Sequence, residues 1–265
     1  MSTAAVFGAG GKIGRAALAL LARRGYAARV LQHRTPIAGP GITAVRGSIV
    51  DPAAVAATVA GADVVLQLAT TKEDAETFFD VSIRGTFQVL EACRQQRVRQ
   101  FLLIGGDAAL GIWFHPRPVP LDENHPHAAY PGGYAFSKVI EEVMAGQYAH
   151  QYGLPVTVLR SSWVFTGDDL LRHFSLLRNV RPGEPGHGFG EVDEEVLQRV
   201  RAGREHVPVL LDAGGRPLRR HIVHLDDVIH ALDRALGNPS ALGGTFNIAG
   251  PAPFDYRDAI LALDA

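Results

Sequence analysis

Ala4-Ala5-Val6-Phe7-Gly8-Ala9-Gly10-Gly11-Lys12-Ile13-Gly14 is the stretch whose reading decides the fold. Its apolar start reads as a short buried strand, and the Ala/Leu-rich run Ile13 to Arg24, stopped by Gly25, reads as a helix. A glycine-rich turn between strand and helix leaves backbone N–H groups and the helix dipole aimed at an anion, as dinucleotide binding requires. Glycines also mark ordinary tight turns, so the motif alone leaves both readings open.

The same alternation continues outward. Ala28 to Leu31 reads as a second strand, and Asp51-Pro52 opens a helix ending near Gly61, with the acid as N-cap and proline at the first helical position. Strands are expected at Val64 to Ala69, Phe101 to Ile104 and Val156 to Arg160, separated by helices at Glu73 to Gln96 and Tyr134 to Tyr152. This order predicts an α/β fold, a Rossmann-type doubly wound parallel sheet that binds ligands beyond the carboxyl ends of its strands. After Phe165, Gly, Pro and His punctuate the chain and a charged helix is expected at Glu191 to Arg201. Two domains are expected: a dinucleotide-binding domain over 1–165 and a small substrate lobe over 166–265. Within the latter, 219–236 and 245–248 are expected to pack back on the Rossmann core.

The 265 residues are 47% hydrophobic and 20% charged, the balance of a globular protein, and the formal charge of −1 gives no electrostatic case for nucleic acid or anionic membrane. Cys93 is the single cysteine, which excludes a disulfide framework and a cysteine-built metal site. The glycine turn starts too early to leave room for a signal peptide, and no apolar run is long enough to span a bilayer. A cytoplasmic location is the expectation. The eleven histidines include the pairs His125/His127 and His221/His224, but neither has a metal-protease helix spacing, so no metal is expected. His115 and His187 are candidate substrate contacts, and Trp113 and Trp163 are expected at the cleft mouth, either packing or binding.

In Tyr134-Ala-Phe-Ser-Lys138 the i, i+4 spacing puts phenol and ammonium on one helical face, where the positive charge favours the tyrosinate. That is general acid/base chemistry; the alternative is a tyrosine packed at a helix start beside an exposed lysine. Lysine occurs only at Lys12, Lys72 and Lys138, which favours the first. At the end of the second strand Gln32-His33-Arg34 carries no acid to accept from an adenosine ribose, and Arg34, with Arg15 nearby, leans the reading towards NADP over NAD.

These motifs, with Gly61-Ala-Asp-Val-Val-Leu-Gln-Leu-Ala69, Gly85-Thr86, Leu159-Arg160-Ser161 and Arg220-His-Ile-Val-His-Leu-Asp-Asp227, resemble the extended short-chain dehydrogenase/reductase family, also called the NAD-dependent epimerase/dehydratase family. The resemblance runs nearly end to end. It implies Tyr134 as proton donor or acceptor, and Lys138 on the nicotinamide ribose, lowering the tyrosine pKa. It also implies a cofactor site of Gly8, Gly10, Gly11, Lys12, Ile13, Gly14, Arg34, Ser48, Ile49, Leu68, Ala69 and Thr70. Thr71, Gly106, Asp107, Ser161 and Arg220 are the implied substrate contacts; Arg220 matches a position that pairs with a substrate diphosphate, the alternative being an ion pair with Asp226 or Asp227. A homodimer through the helices at 73–96 and 134–152 is also implied.

The chain departs from the family where Ser-Ser or Ser-Thr usually follows the fourth strand: it has Gly105-Gly106 and then Asp107. Thr70, Thr71, Ser161 or Ser162 are candidates to replace the hydroxyl. Ser82 stands in place of a common asparagine, and Ser48 in place of the acid that contacts adenine. The expected function is an NAD(P)-dependent oxidoreductase moving hydride to or from a carbinol or carbonyl carbon of a small sugar, sugar acid or related ketone. The alternatives are a nucleotide-sugar epimerase or dehydratase, and a non-catalytic NADP(H) sensor permitted by the missing serine.

Overall fold

A computed structural model describes residues 2–112, 120–179, 193–209, 211–212, 214–217, 219–255 and 257–258. Trp113, His115 and His187 lie outside the described residues. In chain order the chain forms β1 (Thr3–Phe7), α1 (Lys12–Arg23), β2 (Ala27–Gln32), β3 (Ile42–Arg46), α2 (Pro52–Val59), β4 (Val64–Gln67), a π-helical turn (Phe79–Arg84) running into α3 (Gly85–Gln96) and β5 (Gln100–Gly106). A 3₁₀ turn (Asp107–Leu110), α4 (Gly133–Tyr152) and β6 (Val156–Ser161) follow. Then come β7 (Trp163–Phe165), α5 (Asp169–Phe174), α6 (Leu176–Asn179), α7 (Glu194–Arg201), β8 (Arg219–Arg220), β9 (Ile222–His224), α8 (Leu225–Ala235), β10 (Thr245–Ile248) and β11 (Phe254–Asp255). Two compact units divide the chain: Met1–Ser162 with Leu225–Ile248, and Trp163–His224 with Ala249–Ala265.

The first unit is built on a seven-stranded sheet in the order β10-β6-β5-β4-β1-β2-β3, and every pairing in it is parallel. Strand alternation sends Ala5, Phe7, Val65, Phe101, Leu103, Val156 and Val158 to one face, where they pack with residues of α2, α3 and α4. Ala4, Val6, Leu66, Leu102 and Leu159 go to the other face, against Leu20 and Leu21 of α1 and Ile229 and Leu232 of α8. Both faces are covered by helices, the doubly wound arrangement that the alternating elements predict.

Three local features differ from the sequence reading. Ile42-Thr-Ala-Val-Arg46 forms the edge strand β3, paired with β2 alone and too exposed to carry an apolar signature. The long helix expected from Glu73 starts later: the Asp74 carboxylate accepts from the backbone N–H groups of Glu76 and Thr77 and from the Thr77 hydroxyl, and the regular run follows that cap. The expected 220–224 strand breaks at His221, whose Nδ1 lies 3.0 Å from the Gly250 carbonyl oxygen. On either side, β8 pairs with β11 and β9 with β7. The Asp51 cap behaves as read, accepting from Ala53 N–H at 2.9 Å with Pro52 at the first helical position.

Among the described residues, no helix is long and apolar enough to cross a membrane, and no group of three or more His, Cys, Asp or Glu could hold a metal ion.

Candidate active site

The glycine turn sits at the carboxyl end of β1, and backbone contacts explain its glycines. Gly8 has φ +84°, and a Cβ there would lie 2.7 Å from Ala69 N. A Cβ on Gly14 would lie 2.3 Å from the Gly8 carbonyl oxygen, so helix α1 rests directly on the turn. Gly10 and Gly11 are looser, with nearest neighbours at 3.4 Å. Gly11 is the N-cap of α1, has no side chain to bond the first-turn N–H groups, and no acid follows in that turn. Such an uncapped start with a positive dipole end fits a pyrophosphate. Lys12 is exposed beside it, and Ile13 packs into the core under α1.

Leu68 and Ala69 form the other wall, because Gly8 approaches them so closely. Beyond them, Ser82 on the π-helical turn accepts from the Thr71 N–H at 3.1 Å and lies 3.3 Å from the Thr70 hydroxyl. Ser82 thus ties the loop after β4 to the π-helical turn. At the end of β2, Gln32, His33, Arg34 and Pro36 line a recess of about 340 Å³ with Arg46 and Gly47. Arg46 was not read from the sequence; it arrives because β3 pairs Arg46 with Gln32. Ser48 bonds locally, accepting from Val50 N–H at 3.4 Å, and Ile49 is a core residue packed against Gly85.

At the carboxyl end of β5 the structure brings Gly106, Tyr134 and Lys138 together. A Cβ on Gly106 would lie 3.7 Å from the Tyr134 hydroxyl and 3.8 Å from Lys138 Cγ. Ser161 is the register partner of Gly106 on β6, its hydroxyl 3.5 Å from the Gly105 carbonyl oxygen. Asp107 is buried at the start of the 3₁₀ turn. The start of α4 is shaped by its neighbours: the N-cap Gly132 has no side chain, and the Glu73 carboxylate lies where a Gly132 Cβ would be 2.9 Å from it. Glu73 also accepts weakly from Tyr134 N–H at 3.4 Å, placing an anion at the positive helix end. Lys72 and Lys138 both lie over the Tyr134 ring, with Nζ 5.8 and 5.6 Å from its centroid.

Lys138 is buried and donates to Glu141 Oε2 at 2.9 Å. Burial pushes its ammonium down, but the charge of Glu141, then that of Tyr134, outweigh this and hold it above the ordinary lysine range. Burial pushes the Glu141 carboxyl up against the pull of Lys138. The next residue, Glu142, forms a second buried pair with Arg160 at 2.8 Å and meets His127 Nε2 at 3.0 Å. Glu141 and Glu142 escaped the sequence reading, although Tyr134, Lys138 and Glu141 share the i, i+4, i+7 spacing of one helix face. Arg220 belongs to the second unit, its guanidinium 4.6 Å from the Trp163 ring centroid. Trp163 also packs on Phe165, His173 and Phe174.

The chain is 32% identical over 238 residues to dTDP-glucose 4,6-dehydratase of Streptomyces antibioticus, covering 85% of this chain and 62% of that one. It is 26% identical over 230 residues to L-arabinose 1-dehydrogenase (NAD(P)(+)) of Haloferax volcanii, covering 74% of this chain and 84% of that one. Of two further relatives it spans about half the length, 55% and 47%. A short-chain dehydrogenase/reductase superfamily protein from Agrobacterium tumefaciens, solved with bound NAD, superposes with a TM-score of 0.84 at 24% identity, over 98% of this chain and 81% of that one. The family model of NAD dependent epimerases and dehydratases matches residues 4–249, nearly the span that the sheet occupies, and the chain belongs to that family.

Proposed function

We propose that the protein is an NAD(P)-dependent oxidoreductase acting on a carbinol or carbonyl carbon of a small sugar, sugar acid or related ketone. The observation that carries this reading is the Tyr134 hydroxyl standing 3.7 Å from the Cβ position of Gly106, with Lys138 one helical turn along. Nicotinamide, when bound, supplies or accepts the hydride. In the oxidative direction the Tyr134 phenolate takes the carbinol proton as the C–H hydride leaves, and in the reductive direction the phenol returns it. Lys138 holds the charge that favours the phenolate, Gly8, Gly11 and Gly14 let the pyrophosphate approach the backbone, and Ser161, beside Gly106, offers the second hydroxyl to the reacting oxygen. The arabinose dehydrogenase among the relatives supports a free sugar as substrate.

For the coenzyme, the reading favours NADP(H): Arg34 and Arg46 line one recess at the end of β2, where a 2′-phosphate would be paired. The 32% identity to a dTDP-glucose dehydratase favours a second reading, chemistry on a nucleotide sugar. Product analysis separates the two, since a dehydratase or epimerase returns its coenzyme unchanged after turnover. The reading includes a homodimer through α3 and α4, whose outer faces leave Phe87, Phe136, Val143 and Tyr152 exposed. A monomeric mass by light scattering would overturn that part.

The test of the central reading is Tyr134→Phe. Turnover should fall by about 10²–10⁴ while coenzyme affinity stays within about twofold. Turnover that survives the loss of the hydroxyl would remove Tyr134 from the chemistry.

A further inference from the structure

Glu141 is a buried carboxylate that the mechanism above does not use. Its side chain is 1% exposed, and Oε2 accepts from Lys138 Nζ at 2.9 Å. Its other oxygen, Oε1, is buried with no hydrogen-bond partner among the described residues. A carboxylate in such a place is costly unless an opposite charge offsets it, and the converse holds for an ammonium. Lys138 is 5% exposed. Each charge is therefore tolerated in the core because the other is there.

The remaining charged groups around α4 are engaged elsewhere. Arg160, from β6, is taken by Glu142 and by the Glu123 carbonyl, and His127 also turns to Glu142. Glu91, from α3, is held by Arg94, and Asp80 and Arg84, on the π-helical turn, pair with each other. Lys72 lies over the Tyr134 ring, Glu73 sits at the start of α4, and Asp107 lies in the 3₁₀ turn after β5. The charged residues of β5 number none, since Gln100-Phe-Leu-Leu-Ile-Gly-Gly106 is neutral.

We propose that Glu141 is the fixed counter-ion of Lys138, a positioning residue that anchors the ammonium beneath Tyr134 and keeps it charged inside the helix–sheet interface. The proposal rests on the acid/base reading of Tyr134 only for its catalytic consequence. Without the carboxylate, burial acts on Lys138 opposed only by Tyr134 and, less strongly, by Glu142, and the amine releases its proton at lower pH. The charge that favours the phenolate is then lost within the working range, and the alkaline limb of the rate profile moves inward.

The chain has three lysines, Lys12, Lys72 and Lys138, so side-chain NMR of isotope-labelled lysine resolves them, with K12R and K72R giving the assignment. In the wild type the Lys138 signal should remain that of an ammonium as far as the fold persists in alkali. In Glu141→Gln it should titrate at least about one pH unit lower, and Glu141→Asp should restore the wild-type behaviour. The alkaline limb of kcat/KM should follow the same shift. An identical Lys138 titration in wild type and Glu141→Gln, with circular dichroism showing both folded, would overturn the proposal. If Glu141→Gln is poorly folded, Glu141→Asp carries the test: a Lys138 titration displaced as far as in an unpaired lysine would equally sink it. Because the NMR reading needs no substrate, its failure is distinct from survival of turnover in Tyr134→Phe, which would overturn the acid/base reading instead.

Discussion

Gly106→Ser puts a hydroxyl where the family resemblance implies one, and the geometry says whether it fits. Gly106 has an extended backbone, φ −158° and ψ 151°, open to any residue. Its Cβ would meet the Tyr134 hydroxyl at 3.7 Å, Lys138 Cγ at 3.8 Å and Ala108 N at 3.9 Å, all ordinary contacts. A serine hydroxyl, one bond further, comes within reach of an oxygen bonded by Tyr134 and adds a donor to the one proposed from Ser161. Hydrogen bonds to charged groups contribute about 1.5–3 kcal/mol. At about 1.36 kcal/mol per tenfold, kcat should rise roughly ten- to a hundredfold if the reacting oxygen is held there. Gly105→Ser is the counterpart. A Cβ at Gly105 would lie 2.8 Å from Glu142 Oε1, inside the buried Glu142–Arg160 pair. Breaking such a pair costs about 3–5 kcal/mol, which for a chain of this size lowers Tm by roughly 6–20 °C. Turnover is followed by the absorbance of reduced nicotinamide over a panel of sugars and uronates, and stability by thermal circular dichroism. Gly106→Ser that folds normally but leaves kcat unchanged, or Gly105→Ser that melts with the wild type, would refute the reasoning.

Three further outcomes are expected. Gly14→Ala should lose about 1–3 kcal/mol of stability, because its Cβ would lie 2.3 Å from the Gly8 carbonyl oxygen, whereas Gly11→Ala, at 3.4 Å, should cost much less stability; chemical denaturation ranks the two, and equal losses would contradict the contact argument. Arg34→Glu should weaken NADPH binding at least about tenfold and leave NADH unaffected or improved, as fluorescence titration reports, and loss of both equally would mean that the recess does not read the 2′-position. Cys93 is fully buried and burial pushes its thiol up, so at neutral pH it is protonated and inaccessible; alkylation should proceed only at the rate of unfolding, and fast modification of the native protein would disprove the packing.

The parallel sheet is legible because its inner strands are uninterrupted apolar runs buried on both faces, as in Val64 to Leu66 and Phe101 to Ile104, with helices of clear period between them. Strand β3 is not, because an edge strand needs apolar residues on one side only and Thr43, Ala44 and Arg46 are exposed. The omission reached the site: Arg46 enters the recess beside Arg34 only through the pairing of β3 with β2, and a residue on an unread strand has no readable neighbours. The start of the helical run before α3 is hidden for a different reason. The helical pattern extends back to Glu73, but the Asp74 carboxylate caps the run locally, and Glu73 is drawn to the start of α4.

Within the site, spacing along one helix made Tyr134 and Lys138 legible, while contacts across the sheet were not. Gly105 and Gly106 are identical letters, yet strand alternation gives them different tasks. Gly105 shares its side of β5 with Leu103 and Phe101, under α4, where Glu142 and Arg160 leave no room for a side chain. Gly106 ends the strand, where Tyr134 reaches over the sheet and a side chain would be accommodated. The first glycine is therefore required by the ion pair beneath the site, and the second is the one whose replacement reports on chemistry. Glu142 links the two levels, since it excludes a side chain at Gly105 while lying on the helix that carries Tyr134, Lys138 and Glu141. Consecutive residues of α4 thus serve the two levels at this end of the sheet: Glu142 pairs with Arg160 of β6, and Glu141 pairs with Lys138.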